Sequence, residues 1–141
     1  GLRVGFALAS ADLIEGLNRV KDSFNSYPLD AVAQAAATAA ILDDAWLEAA
    51  SQSVKQSRSL LESGLVAMGF EVLPSEANFI FTRHPQLNGE RLFESLREAD
   101  IIVRRWSGER IKDWLRISIG TLTQSEQLLA TLRNIVASKA G

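Results

Sequence analysis

The sequence predicts an α/β chain, helical in its first half and mixed in its second. Three observations carry this. Residues 70–141 alternate short apolar strand patterns with amphipathic helix patterns. Residues 29–68 read as a long helical stretch, rich in alanine at its start. The chain also enters directly on an apolar, strand-like run, Gly1-Leu-Arg-Val-Gly-Phe6. The architecture expected is the end of a larger domain, a long kinked connector helix, and a small sheet of about four strands with helices on one face. The divisions fall at 1–28, 29–69 and 70–141.

Arg3 to Ala9 alternates Val4, Phe6 and Leu8 with small residues, which predicts a strand. Ser10 or Asp12 can cap a helix to Phe24, with Leu13, Ile14, Leu17 and Val20 as its apolar stripe. Asn25-Ser-Tyr-Pro28 breaks the chain, leaving Tyr27 half-buried in a loop. Pro28 suits the first turn of a helix over 29–42, with Asp30 near its positive end. Asp43 or Asp44 restarts a second helix, which Gly69 ends. Trp46, Leu47, Val54, Leu60, Leu61, Leu65 and Met68 are its inward candidates. Laid end to end, the two helices would reach roughly 55 Å, a length suited to a connector.

Phe70–Leu73, Ala77–Thr82, Ile101–Arg105 and Trp114–Ile119 read as strands. His84-Pro85 marks a solvated loop, and Asn88 or Gly89 opens a helix to Ala99 with Leu92, Phe93 and Leu96 inside. A last helix runs to Ser138, capped at Thr121 or Thr123, and Thr123 with Glu126 reads as a capping box.

The 141 residues suffice for a real core, and 47% hydrophobic with 23% charged residues is ordinary for a globular protein. A net charge of −2 gives no electrostatic case for nucleic acid or an anionic membrane. No apolar run reaches membrane-spanning length, and the opening residues lack a secretory leader's pattern. With no cysteine, disulfides and thiolate chemistry are excluded; one histidine excludes a multi-histidine metal site. No phosphate-binding glycine loop, zinc signature or serine nucleophile elbow is present, and no metal site is expected.

Arg116, in Trp114-Leu-Arg-Ile-Ser-Ile-Gly-Thr121, is the residue that points to function. A guanidinium among buried apolar neighbours is costly unless it meets an anion. Its planar fork matches a carboxylate, which can be an Asp or Glu of the same chain or a ligand. Arg3 sits between two glycines that permit close backbone approach; it is an edge arginine or a phosphate ligand. Arg104 and Arg105 point to opposite faces by alternation, so only one can share a given site. Asn78, inside an apolar strand, either buttresses a loop or touches a ligand.

Taken together, Gly1-Leu-Arg-Val-Gly-Phe6, Tyr27-Pro28 with Leu29-Asp-Ala-Val-Ala-Gln-Ala-Ala36, Pro74-Ser-Glu-Ala-Asn-Phe79, Ile102-Val-Arg104 and Leu115-Arg-Ile-Ser-Ile-Gly-Thr121 form an ordered set. In that order, the set resembles the C-terminal part of fold-type-I pyridoxal-phosphate aminotransferases, nearest the histidinol-phosphate aminotransferase branch. The resemblance implies that Arg3 binds the cofactor phosphate, that Arg116 clamps the substrate α-carboxylate, and that Arg104 lies near a substrate phosphate or carboxylate. Asn78 matches the asparagine of an ANF-type strand. The connector would then join the cofactor domain to the small domain.

The family's Schiff-base lysine stands several residues before Gly-Leu-Arg, and Lys21, Lys55, Lys112 and Lys139 do not occupy that position. The 141 residues alone are therefore expected not to transaminate. The intact protein is expected to be a cytoplasmic homodimer using pyridoxal 5'-phosphate on an amino acid and an oxo acid. A phospho-amino-acid decarboxylase of the same fold and a stand-alone amino-acid-binding α/β domain are the alternatives.

Overall fold

The computed structural model describes residues 2–25 and 27–139, with only the backbone at 139. Gly1, which flanks Arg3, and Ser26, in the expected break, lie outside the described residues. The chain forms two compact units, residues 1–48 and 49–141.

In the first unit, α1 (Ala11–Phe24) and α2 (Ala31–Leu42) lead into the start of α3 (Asp44–Ala67). Asp30 is the N-cap of α2: its carboxylate accepts the Ala33 N–H at 2.7 Å. Asp43 ends α2 and restarts α3, accepting the Trp46 N–H at 3.1 Å. The helical run is thus interrupted at Asp43, as its sequence predicts.

Residues 2–9 are not a strand, contrary to expectation. Alternation gives a segment two faces, but a strand also needs a hydrogen-bonded neighbour. No described strand pairs with this one. The apolar stripe of α1 is exposed at Leu13, Leu17 and Val20, and Tyr27 is 92% exposed instead of half-buried. Trp46 and Leu47 are also exposed, whereas Leu61 and Leu65 on the same helix are buried.

The second unit contains the core. α3 stops where Gly69 takes φ +84, and the Phe70 N–H closes the last turn onto Leu65 O at 3.1 Å. Then follow β1 (Glu71–Val72), β2 (Phe79–Arg83), α4 (Gly89–Glu98), β3 (Arg104–Arg105), β4 (Leu115–Ser118) and α5 (Leu122–Lys139). The four strands form one antiparallel sheet in the order β1-β2-β4-β3. Ile80 pairs with Ile117 and Thr82 with Leu115, so these four share one face. That face meets Leu61 and Leu65 of α3, Leu92 and Leu96 of α4, and Leu128, Leu129 and Leu132 of α5. Helices on one face of a small sheet is the arrangement the sequence predicts.

Local chemistry explains the helix ends. Asn88 caps α4 by accepting the Glu90 and Arg91 N–H groups. Gly89 is required there, because a Cβ would sit 2.4 Å from the Asp113 Cα. The capping box of α5 lies at Thr121 and Gln124, not at Thr123 and Glu126. Thr121 Oγ1 accepts the Gln124 N–H, and Gln124 Oε1 accepts the Thr121 N–H. Both pairs satisfy the sequence rule; the strand stops at Ser118, so the earlier one is used.

Candidate active site

Period-two alternation puts the core on one face of the sheet and a different chemistry on the other. The second face carries Phe79, Phe81 and Arg83 from β2, and Arg116 and Ser118 from β4. Arg104 of β3 joins them, and Trp114 and Trp106 border the same rows. Phe81 stacks on Trp114 with centroids 5.0 Å apart and meets Trp106 edge-on at 6.0 Å.

Arg116 lies at the centre of this face. It is directly opposite Phe81 on one side and Arg104 on the other. Its guanidinium rests over the Phe79 ring at 4.2 Å, and Arg104 rests over Trp106 at 5.0 Å. Arg116 is half-buried, and its Nε is buried with no hydrogen-bond partner among the described residues. No described residue forms an ion pair with Arg116 or Arg104. The intrachain partner that a buried arginine could have had is therefore absent among the described residues.

The other arginines of the sheet differ. Arg83 pairs with Glu71 at 2.7 Å, and that hydrogen bond raises its pKa from the ordinary value. Arg105 donates to Lys112 O at 2.7 Å and to Glu90 at 3.2 Å. Alternation thus sends Arg105 to a structural pair and Arg104 to the face of Arg116. Like charges directly opposite across strands repel. Two arginines so placed, with no acid to neutralise them among the described residues and one N–H unsatisfied, have the chemistry to receive an anionic group with several oxygens.

Asn78 lies just before β2, not inside it, and its side chain is exposed. Its amide therefore needs no partner within the chain. Its main-chain carbonyl accepts the Ile119 N–H at 2.9 Å, which places it at the end of β4 beyond Ser118. Asn78, Arg104 and Arg116 thus belong to one sheet. Arg3 belongs to the first unit. It is exposed, holds φ +60, and borders a hollow of ≈ 380 Å³ with Leu2, Val4, Phe6, Ala36, Ala40 and Ile41. A non-glycine residue in the left-handed region is strained, and such strain concentrates at functional positions. An anion in that hollow would meet one guanidinium and apolar walls.

His84 is buried at 8% exposure, contrary to the solvated loop expected. Its Nδ1 accepts the Gln86 N–H at 3.2 Å, and its ring meets Phe70 edge-on at 4.9 Å. It serves the fold. Phe79, Phe81 and Trp106 lay outside the sequence candidates, although the alternation that places Arg116 also places Phe79 and Phe81. Among the described residues no group of acids and histidine could hold a metal ion, and no helix is long and apolar enough to cross a membrane.

The profile of the family described as "Aminotransferase class I and II" matches residues 1–132. The chain belongs to that aminotransferase family. Histidinol-phosphate aminotransferase of Acetobacter pasteurianus is 56% identical over 140 residues, covering 99% of this chain and 39% of that protein. Histidinol-phosphate aminotransferase 2 of Rhizobium meliloti strain 1021 is 54% identical over 136 residues, covering 96% of this chain and 39% of the relative. The chain thus spans about 39% of the length of these curated relatives. The crystal structure of histidinol-phosphate aminotransferase from Clostridium acetobutylicum matches with a TM-score of 0.74 at 25% identity, covering 85% of this chain and 37% of that one. The Sinorhizobium meliloti enzyme, solved in complex with pyridoxal-5'-phosphate, matches at 0.70 and 22% identity over 83% of this chain and 34% of that one, a likeness of fold. In this member of the family the two-arginine face is the candidate binding site.

Proposed function

We propose that residues 1–141 are the C-terminal part of a pyridoxal-phosphate aminotransferase of the histidinol-phosphate type. The intact protein moves an amino group between an amino acid and an oxo or oxo-phosphate acceptor. One observation carries this reading: Arg116 is half-buried, seated on Phe79, opposite Arg104 and without an acidic partner among the described residues. Residues 1–28 are the end of the cofactor domain, 29–69 the connector and 70–141 the small domain.

The fork of Arg116 binds the substrate carboxylate, with the guanidinium seated over the Phe79 ring. Arg104 adds a second positive charge for the carboxylate or for a substrate phosphate. Phe81, Trp106 and Trp114 give the face low-dielectric walls that strengthen both attractions. Asn78, exposed at the end of the same sheet, offers an amide to the ligand. Arg3, strained and without an ion pair among the described residues, fits one side of a phosphate. It would hold the cofactor phosphate, with further donors supplied from outside these residues. The cofactor, when bound, supplies the electron sink that stabilises the substrate carbanion. The lysine that carries it lies outside residues 1–141. The protein acts as a cytoplasmic homodimer.

The test is the full-length protein, loaded with pyridoxal phosphate, given histidinol phosphate and a 2-oxo acid. Formation of the new amino acid is the expected result, with no carbon dioxide released when an O-phospho-amino acid is supplied alone in a parallel assay. Decarboxylation, or binding without turnover, would overturn the reading.

A further inference from the structure

We propose that Arg58 is a positioning residue for the two-arginine site, acting through the turn that leads into Phe79; the inference rests on the proposed substrate role of Arg116. Arg58 stands on α3, among the core-facing positions, and is only 8% exposed. Its Nη1 donates to the main-chain carbonyl of Ala77 at 2.8 Å, and its Nη2 to Glu76 at 2.7 Å. The carboxylate it meets is 92% exposed, so the ion pair alone does not explain a buried guanidinium. The carbonyl bond does: it ties α3 to the segment that delivers β2.

That segment is held from other sides as well. Ser75 Oγ donates to Phe79 O at 2.6 Å and accepts the Ala77 N–H at 3.1 Å. The Asn78 carbonyl receives the Ile119 N–H from just past β4. The next residue, Phe79, is the ring on which Arg116 rests. Arg58 therefore fixes the peptide plane one residue before Asn78 and two before the seat of Arg116. Arg58 itself lies on the helix-covered side and reaches the open face only through this turn.

The experiment uses the full-length, cofactor-loaded protein and compares Arg58→Met, Arg58→Lys, Ser75→Ala and Arg116→Lys. Affinity for a simple 2-oxo acid is measured by calorimetry at a temperature where near-ultraviolet circular dichroism shows each variant folded. KM and kcat for the amino donor are measured beside it. Arg58→Met is expected to weaken 2-oxo acid binding and raise KM about tenfold, the size of one lost charge-assisted hydrogen bond, with a smaller change in kcat. Arg58→Lys keeps a charged donor and recovers most of the affinity. Ser75→Ala loosens the same turn from its other side and weakens binding about threefold. If Arg58→Met does not fold, Ser75→Ala carries the test, and wild-type affinity in Ser75→Ala overturns the proposal. A lowered melting temperature with unchanged 2-oxo acid affinity also overturns it, leaving Arg58 a structural pin. Should Arg116→Lys itself bind the 2-oxo acid normally, the anion site is wrong and the positioning role falls with it. Loss in Arg116→Lys with silence at Arg58 removes the positioning role alone.

Discussion

Replacing Arg116 with lysine in the full-length protein should separate binding from folding in opposite directions. The substitution keeps the charge and removes the fork and the buried Nε–H. A carboxylate held in bidentate fashion loses one charge-assisted hydrogen bond and its alignment, about 2–4 kcal/mol of transition-state binding. At 1.36 kcal/mol per decade, kcat/KM for the amino substrate falls roughly 30- to 900-fold. Stability runs the other way. The Nε of Arg116 is buried without a partner, and no acid answers its charge among the described residues. Losing the stack on Phe79 costs about 0.5–1 kcal/mol, while removing an unsatisfied buried donor returns about 1–3 kcal/mol. The melting temperature should hold or rise. Steady-state kinetics and a thermal melt on the same preparation decide the matter. A lowered melting temperature with unchanged kcat/KM would mean that Arg116 serves the fold, and the argument from its missing partner would be refuted.

Three further outcomes are expected. The 141-residue chain mixed with pyridoxal phosphate should yield no stoichiometric covalent adduct on borohydride reduction, because none of its lysines matches the family position; peptide mapping of a single modified lysine would refute this. The same chain should self-associate through the exposed apolar residues of its first unit, Leu13, Leu17 and Val20 among them, and a clean monomer by sedimentation at high concentration would count against it. Asp100→Gly should stabilise the second unit. Asp100 ends α4 at φ +59, a conformation that costs a non-glycine residue about 1–2 kcal/mol, against about 0.5–1 kcal/mol for glycine's lost freedom. A rise of about 2–5 °C in melting temperature is the readout.

The sequence made the small sheet legible chiefly through β4, whose apolar and polar residues alternate strictly. Leu115, Arg116 and Ile117 announce one buried face and one arginine on the other. Alternation also separated Arg104 from Arg105, but choosing between them took the register, which depends on which strands meet. Arg58 gave no signal, since its partner is a main-chain carbonyl 19 positions away and any residue supplies one. His84 misled for a related reason: a histidine beside a proline reads as loop, and only the tertiary fold lays Phe70 against it. Residues 2–9 show the converse. Their pattern is strand-like, yet a pattern cannot provide the neighbouring ladder on which a strand depends.

In β4, residues that share a peptide bond answer to separate demands. Leu115 and Ile117 face the helices, and Arg116 and Ser118 face outward. On the role proposed for this face, a change at an outward position alters what the protein recognises and leaves core packing nearly untouched; an inward change does the reverse. Selection can therefore tune substrate preference and foldedness along one short stretch almost independently. A lineage can explore new acceptors through Phe81, Arg104, Trp106 or Ser118 without first having to rebuild its interior.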